Sequence, residues 1–192
     1  MRAAFLLCAV AAASATQAFA NPMQPPKVSY TAEVALTRTG AAATIMHQSF
    51  SGHKARVDID GDDVYFLMNY EWGERVAVSP KQKMATRPMA LPDTDPRPDI
   101  GVAATVAEEV GSDTILGMKA TKYRVMGYIL ASRLPFSGFV WTNQDNIVLR
   151  AAGVTRGRDG ESPLIREVRK LDVGPVPDER FKIPTGFIQE DK

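Results

Sequence analysis

From Val28 onward, apolar and polar residues alternate in short runs punctuated by turn residues, the pattern of half-buried strands. The clearest run is Ala55–Asp60, with Ala55, Val57 and Ile59 on one side and Arg56, Asp58 and Asp60 on the other. Asp60-Gly61-Asp62 reads as a tight hairpin turn into Val64–Tyr70. Val28–Arg38 and Ala43–Phe50 precede this pair, stopped by Gly40 and by Ser51-Gly52. Gly73–Ser79 and Gln82–Arg87 follow it, joined around Pro80-Lys81. Six segments so close in sequence predict an antiparallel meander. The strand signature resumes in Thr114–Leu116, Lys119–Leu130, Ser137–Thr142, Ile147–Thr155 and Leu164–Val173, with a closing Phe181–Phe187 segment. Turn residues at Gly117, Pro135, Asp145-Asn146 and Gly157 to Gly160 separate them. The pattern predicts roughly ten to twelve strands in one domain.

Two stretches differ. Arg87–Pro98 holds Pro88, Pro92, Pro96 and Pro98, whose missing amide donors exclude a central strand or an ordinary helix and predict a long loop. Val102–Val110 leaves helix and strand open: its alanines and acidic tail permit the first, and Val102, Thr105 and Val106 permit the second. Several strands are also apolar on both sides. Val64, Phe66, Met68 and Tyr70 alternate with Tyr65 and Leu67; Tyr123, Val125 and Ile129 with Met126 and Tyr128; Phe139 and Trp141 with Val140. A sheet wetted on one face would carry polar residues there, so both faces call for cover by a short helix, a loop or a ligand.

The first twenty residues follow a different logic. Arg2 supplies a positive start, Phe5 to Ala13 an apolar run, and Ala18-Phe19-Ala20 a small-residue cleavage site before Asn21-Pro22, the order of a secretory signal peptide. The apolar run is too short for a spanning helix. Residues 1–20 are therefore expected to be removed, 21–27 to form a flexible N-terminal segment, and the protein to work in the periplasm. The single cysteine, Cys8, leaves with the signal, so the mature chain has no disulfide, thiol nucleophile or thiolate metal site. About 170 mature residues suffice for one domain with its own core. Lys plus Arg number 23 against 22 Asp plus Glu, and removing Arg2 leaves 22 against 22. That balance gives no basic excess for nucleic acid or an anionic membrane surface. No later apolar run reaches membrane-spanning length, so no integral membrane segment is expected in the mature chain.

Catalytic patterns are weak throughout. His47 and His53 flank the Ser51-Gly52 turn, with Asp58 as an imaginable third ligand, but metal sites ordinarily show tighter spacing. Asp58, Asp60, Asp62 and Asp63 form an acidic cluster. Counted from Asp58, however, Gly61 falls fourth and Asn69 twelfth, where a calcium loop wants glycine sixth and glutamate twelfth. No Gly-x-Ser-x-Gly elbow, phosphate-binding glycine loop or dinucleotide fingerprint occurs. The expectation is a protein that is not an enzyme, with no catalytic residue, no metal and no cofactor.

Three blocks carry a resemblance: Gly117-Met118-Lys119-Ala120-Thr121-Lys122-Tyr123, then Gly138-Phe139-Val140-Trp141-Thr142, then Val176-Pro177-Asp178 with Phe181-Lys182-Ile183-Pro184-Thr185-Gly186-Phe187. In order and length they resemble periplasmic domains of unknown function in the lipoprotein-carrier superfamily (LolA/LolB-like), over residues 28–188. The resemblance implies a mainly β fold with a minor α component: a strongly curved antiparallel sheet, or incomplete β-barrel, covered by short helices or a loop. In the carriers the concave face is hydrophobic and receives acyl chains. The chain is accordingly expected to bind a hydrophobic or acyl-bearing ligand, a lipid or lipoprotein, without catalysis. Candidate lining residues are Met46, Phe50, Tyr65, Leu67, Met126, Tyr128, Phe139 and Trp141, which would make apolar contacts. The alternative is an envelope interaction module with a protein partner and no cavity. If the leader reading is right, intact-mass measurement of protein exported from a bacterial host will show an N-terminus at Asn21.

Overall fold

The computed structural model describes residues 24–38, 40–91, 102–129, 134–158 and 160–189. The strands are β1 (Tyr30–Arg38), β2 (Thr44–Ser51), β3 (Lys54–Ile59), β4 (Tyr65–Asn69), β5 (Glu74–Ser79), β6 (Met84–Ala85) and β7 (Met89–Ala90). After the region between residues 92 and 101 come β8 (Val102–Ile115), β9 (Met118–Ile129), β10 (Pro135–Thr142), β11 (Val148–Gly157), β12 (Gly160–Val173) and β13 (Ile188–Gln189). They form a single open sheet in the order β13-β6-β5-β4-β3-β2-β1-β12-β11-β10-β9-β8, with β7 also paired to β5. The antiparallel meander and the incomplete barrel expected from the sequence are both present. The helical content of the described residues is a 3-10 turn at Asp178–Phe181.

Three expectations change. Val102–Val110 is strand: it pairs antiparallel with β9 as part of a long ladder, and Val102, Thr105, Val106 and Val110 suit that conformation. Met89–Ala90 joins the sheet despite Pro88, at a margin where a missing donor costs little; the remainder of the proline-rich stretch, from Pro92, lies outside the described residues. Phe181–Phe187 is not a strand. Pro184 and the left-handed Gly186 (φ 84°) interrupt it, and pairing begins only at Ile188, beside Met84. At the β8–β9 hairpin both turn residues, Leu116 and Gly117, take positive φ, as a two-residue turn between twisted strands requires.

Cross-strand partners share a face, so the register divides the sheet into two surfaces. One carries Tyr30, Val34, Met46, Phe50, Ala55, Val57, Phe66 and Met68 in β1–β4. Followed the other way it carries Val168, Arg166, Ala151, Val140, Phe136, Val125 and Ala107 in β8–β12. Tyr30, Val34, Phe50, Phe136, Val140 and Val125 on this surface are almost wholly buried. With no helix over it among the described residues, the surface is sealed by the sheet curling on itself. It is the inner face.

The curl needs two backbones to approach closely. Gly138 and Gly153 face each other across β10 and β11, and a Cβ on Gly153 would lie 2.4 Å from the Ser137 carbonyl oxygen and 2.8 Å from Gly138 Cα. Neither strand can hold a side chain there. Inside the curl, Arg166 is 2% exposed; Nη1 donates to the Val148 carbonyl at 2.7 Å and Nη2 to Gln48 Oε1 at 3.0 Å. This cation ties β12 to β11 and, across β1, to β2. Gly153→Ala should lower stability by about 3 kcal/mol through overpacking, whereas Gly40→Ala, in open space at φ 71°, should lower it by only about 1 kcal/mol. Urea denaturation midpoints of the two variants check the difference.

Candidate ligand-binding site

The inner face is sealed unevenly. Along β8–β12 the side chains Phe136, Val140, Val125 and Leu164 form a buried cluster. Along β2–β4 the same face presents Met46, Ile59, Val57, Phe66 and Met68, all half-buried and joined through the pairs Met46–Ile59 and Val57–Phe66. These five side chains make an apolar strip open to contact. Gln48, the inner-face partner of Val57, borders it and leads to the buried Arg166.

The outer face of the same strands is closed by the end of the chain. Ile183 and Phe187 pack on Tyr65, Leu67, Val78 and Ala85. Polar contacts fasten this segment: Lys54 Nζ donates to Asp178 Oδ1 at 2.7 Å, and Arg180 Nε to Ser49 Oγ at 3.3 Å. Arg180 Nη2 reaches Asp58 Oδ2 at 3.4 Å, while Asp58 also receives Arg56 at 2.6 Å. Lys54 holds the Asp178 carboxyl below its ordinary 3.8. Tyr65 lies beneath, 4% exposed, with the Arg56 guanidinium 3.7 Å from its ring centre. Burial raises the Tyr65 phenol above 10.0, against the opposing pull of Arg56. Its hydroxyl has no hydrogen-bond partner among the described residues.

Of the eight sequence-predicted lining residues, Met46, Phe50, Phe139 and Trp141 belong to or pack on one buried cluster, and the other four lie elsewhere. Met46 and Phe50 are on the inner face, half-buried and 1% exposed respectively. Tyr65 and Leu67 face outward beneath the chain end. Met126 and Tyr128 belong to the outer face of β9, whereas Phe139 and the 5%-exposed Trp141, beside a register shift between β10 and β11, pack with Tyr30, Val34 and Phe50 in one buried cluster. There Phe139 and Trp141 are 6.1 Å apart, with Lys122 Nζ 4.3 Å from the first ring and Arg150 5.2 Å from the second. A period of two separates neighbours such as Phe66 and Leu67 onto opposite sides, and the pattern alone does not say which side is inner. Ile59, Val57, Phe66 and Met68, which share a face with Met46, were not among the sequence candidates; their signal is strand register, legible once the hairpins are paired.

Surface clefts accompany the sheet among the described residues. One of about 380 Å³ lies where the chain end meets β4 and β5, with Leu67, Val76, Phe181 and Ile183 along it and Trp72 at its rim, 72% exposed. A second, about 340 Å³, is polar and includes Glu33, His47, Lys170 and Arg180. A third, about 320 Å³, includes Asp62, Asp63 and Lys81. His47 Nε2 is 3.0 Å from Asp60 Oδ1, both well exposed. No metal-ligating group of three His, Cys, Asp or Glu side chains occurs among the described residues. No helix among the described residues is long and apolar enough to cross a membrane.

No family model matches the sequence, and no curated protein does. Solved structures match instead. A chain of the Pseudomonas aeruginosa MucA/MucB complex superposes at a TM-score of 0.53 with 11% identity, over 82% of this chain and 56% of that one. A second structure, of MucB in complex with MucA(peri), gives 0.52 and 10% over 83% and 56%. A LolA-superfamily protein from Nitrosomonas europaea gives 0.42 and 11%, over 84% of this chain and 93% of that one. The likeness is one of fold. The chain spans little more than half the length of the MucB-type chain it matches.

The raised Tyr65 phenol sets an alkaline limit. A folded-state pKa above 10.0 stabilises the fold fully below pH 10, and that stability is lost as pH rises through the folded value. Tyrosinate absorbance should therefore rise in two stages, and Tyr65→Phe should remove part of the late stage.

Proposed function

We propose that this chain is a periplasmic, non-enzymatic binder of an acyl-bearing ligand, a lipid or a lipoprotein, held on the inner face of its curved sheet. The supporting observation is the half-buried strip of Met46, Ile59, Val57, Phe66 and Met68, beside a sealed region of the same surface. Methionines at both margins suit a flexible chain, because the thioether side chain adapts its rotamers to an irregular partner. Each methylene buried contributes about 0.8 kcal/mol, so six contribute about 5 kcal/mol before ordering costs. The expected leader peptide supports delivery outside the cytoplasm.

Trp72 lies exposed at the β4–β5 turn, away from the strip, and Trp141 is already buried in the cluster on which Met46 and Met68 pack. Binding is therefore best read from the emission of a fluorescent fatty acid and its displacement by palmitate. Saturable binding is expected, weakened at least tenfold by Phe66→Asp and by Met68→Gln, and unchanged by Trp72→Ala. Absence of saturable binding to the parent protein would overturn the reading.

A second reading is supported by a separate observation, the apolar cleft beneath Trp72. A large exposed indole over aliphatic side chains is the composition of a protein-interaction anchor. Two of the matched structures are complexes of MucB with MucA. In that case Trp72→Ala would abolish capture of an envelope partner while fatty-acid binding stayed intact.

A further inference from the structure

One cation beside the inner-face strip takes no part in the ion pairs that fasten the chain end. Arg75 stands in β5 directly opposite Met68 of β4 and, on its other side, opposite Met89 of β7. Cross-strand partners share a face, so Arg75 continues the inner-face row Phe50, Ala55, Met68. Every neighbour in that row is apolar. Along β5 the next inner-face residue is Ala77, opposite Phe66. Glu74, the carboxylate adjacent in sequence, belongs to the other face with Val76.

Arg75 is half-buried. Its Nε is shielded from solvent without a hydrogen-bond partner, and no carboxylate pairs with its guanidinium among the described residues. A buried donor on a charged group is destabilising while it lacks an acceptor, so an incoming acceptor would improve the site. A guanidinium presents parallel N–H groups that match two oxygens of a carboxylate or a phosphate. The apolar strip begins at the same point. From Arg75 it passes Met68, Phe66, Val57 and Ile59 to Met46, crossing from β5 to β2, and strand spacing and rise separate its ends by about 20 Å.

From this continuity we infer that Arg75 is the head-group site of the inner-face strip. The ligand is an acyl chain that ends in an anion, a carboxylate or a phosphate. Its head lies on the Arg75 guanidinium and its tail runs toward Met46. The assignment rests on the acyl-binding reading and narrows it, because a neutral lipid supplies no countercharge.

The test displaces the fluorescent fatty acid from the full mature chain with three ligands of one tail length: palmitate, hexadecyl phosphate and hexadecanol. One or both anions should compete at least tenfold better than hexadecanol, and the better anion identifies the head group. Arg75→Gln should remove that advantage and leave competition by hexadecanol unchanged. Arg75→Lys, which keeps the charge without the planar fork, should retain part of it. Arg75 has no partner to lose, so Arg75→Gln should keep the parent's circular dichroism spectrum and melting temperature. Equal competition by all three ligands, or an anion preference that survives Arg75→Gln, would overturn the head-group site and leave the acyl-binding reading standing. Failure of all three to compete would overturn both.

Discussion

A sheet with no helical layer on its inner side must bury that side against itself, and everything else in this molecule follows from how it does so. The contact that permits it is backbone on backbone. Gly138 and Gly153 approach so closely that neither position has room for a methyl group, and they lie beside Phe136, Val140 and Val125, which form one buried cluster. Leu36, on β1, packs on that cluster, so the curl reaches from the β8 end to the middle of the sheet. A buried guanidinium at Arg166 is tolerated because it donates to Val148 and Gln48 within the same curl.

The bend also sets where function can reside. The β8–β12 part of the inner face is buried, while its β2–β4 part stays half-covered and apolar. The outer face of that half is sealed differently, by a chain end fastened through Lys54, Arg56 and Arg180 to acidic partners and through Ile183 and Phe187 to Tyr65 and Leu67. Most of these ion pairs are partly exposed, and pairs of that kind contribute at most about 1 kcal/mol each. The apolar contacts beneath are the larger stabilising factor, and the charges fix the register of the segment over them. One strip of sheet thus has a permanent cover outside and an accommodating surface inside.

Much of this was legible in the amino-acid order. Alternation in Ala55–Asp60 and the Asp60-Gly61 turn located β3 and its hairpin, and two-sided hydrophobicity in Val64–Tyr70 and Ser137–Thr142 announced a sheet with no wet face. Local patterns suffice for such features because a strand's period and a turn's glycine are properties of a few consecutive residues. The expected covering elements were less legible. Pro184 and Gly186 broke the last predicted strand, and β-branched residues in Val102–Val110 found a partner in β9 that no local signal names.

What the sequence by itself determined is the alternation: which residues are neighbours on one side of a strand, where strands stop, and that greasy side chains would emerge on both sides. Only the tertiary structure decided which side is inner. That choice rests on the close approach of two glycines fifteen positions apart and on a chain end returning over strands more than a hundred residues earlier. Phe66 and Leu67 are adjacent and equally apolar, yet one faces the open strip and the other the sealed cover. Chemistry of the side chain is the same in both places; the direction of curvature, a property of the whole sheet, assigns the roles.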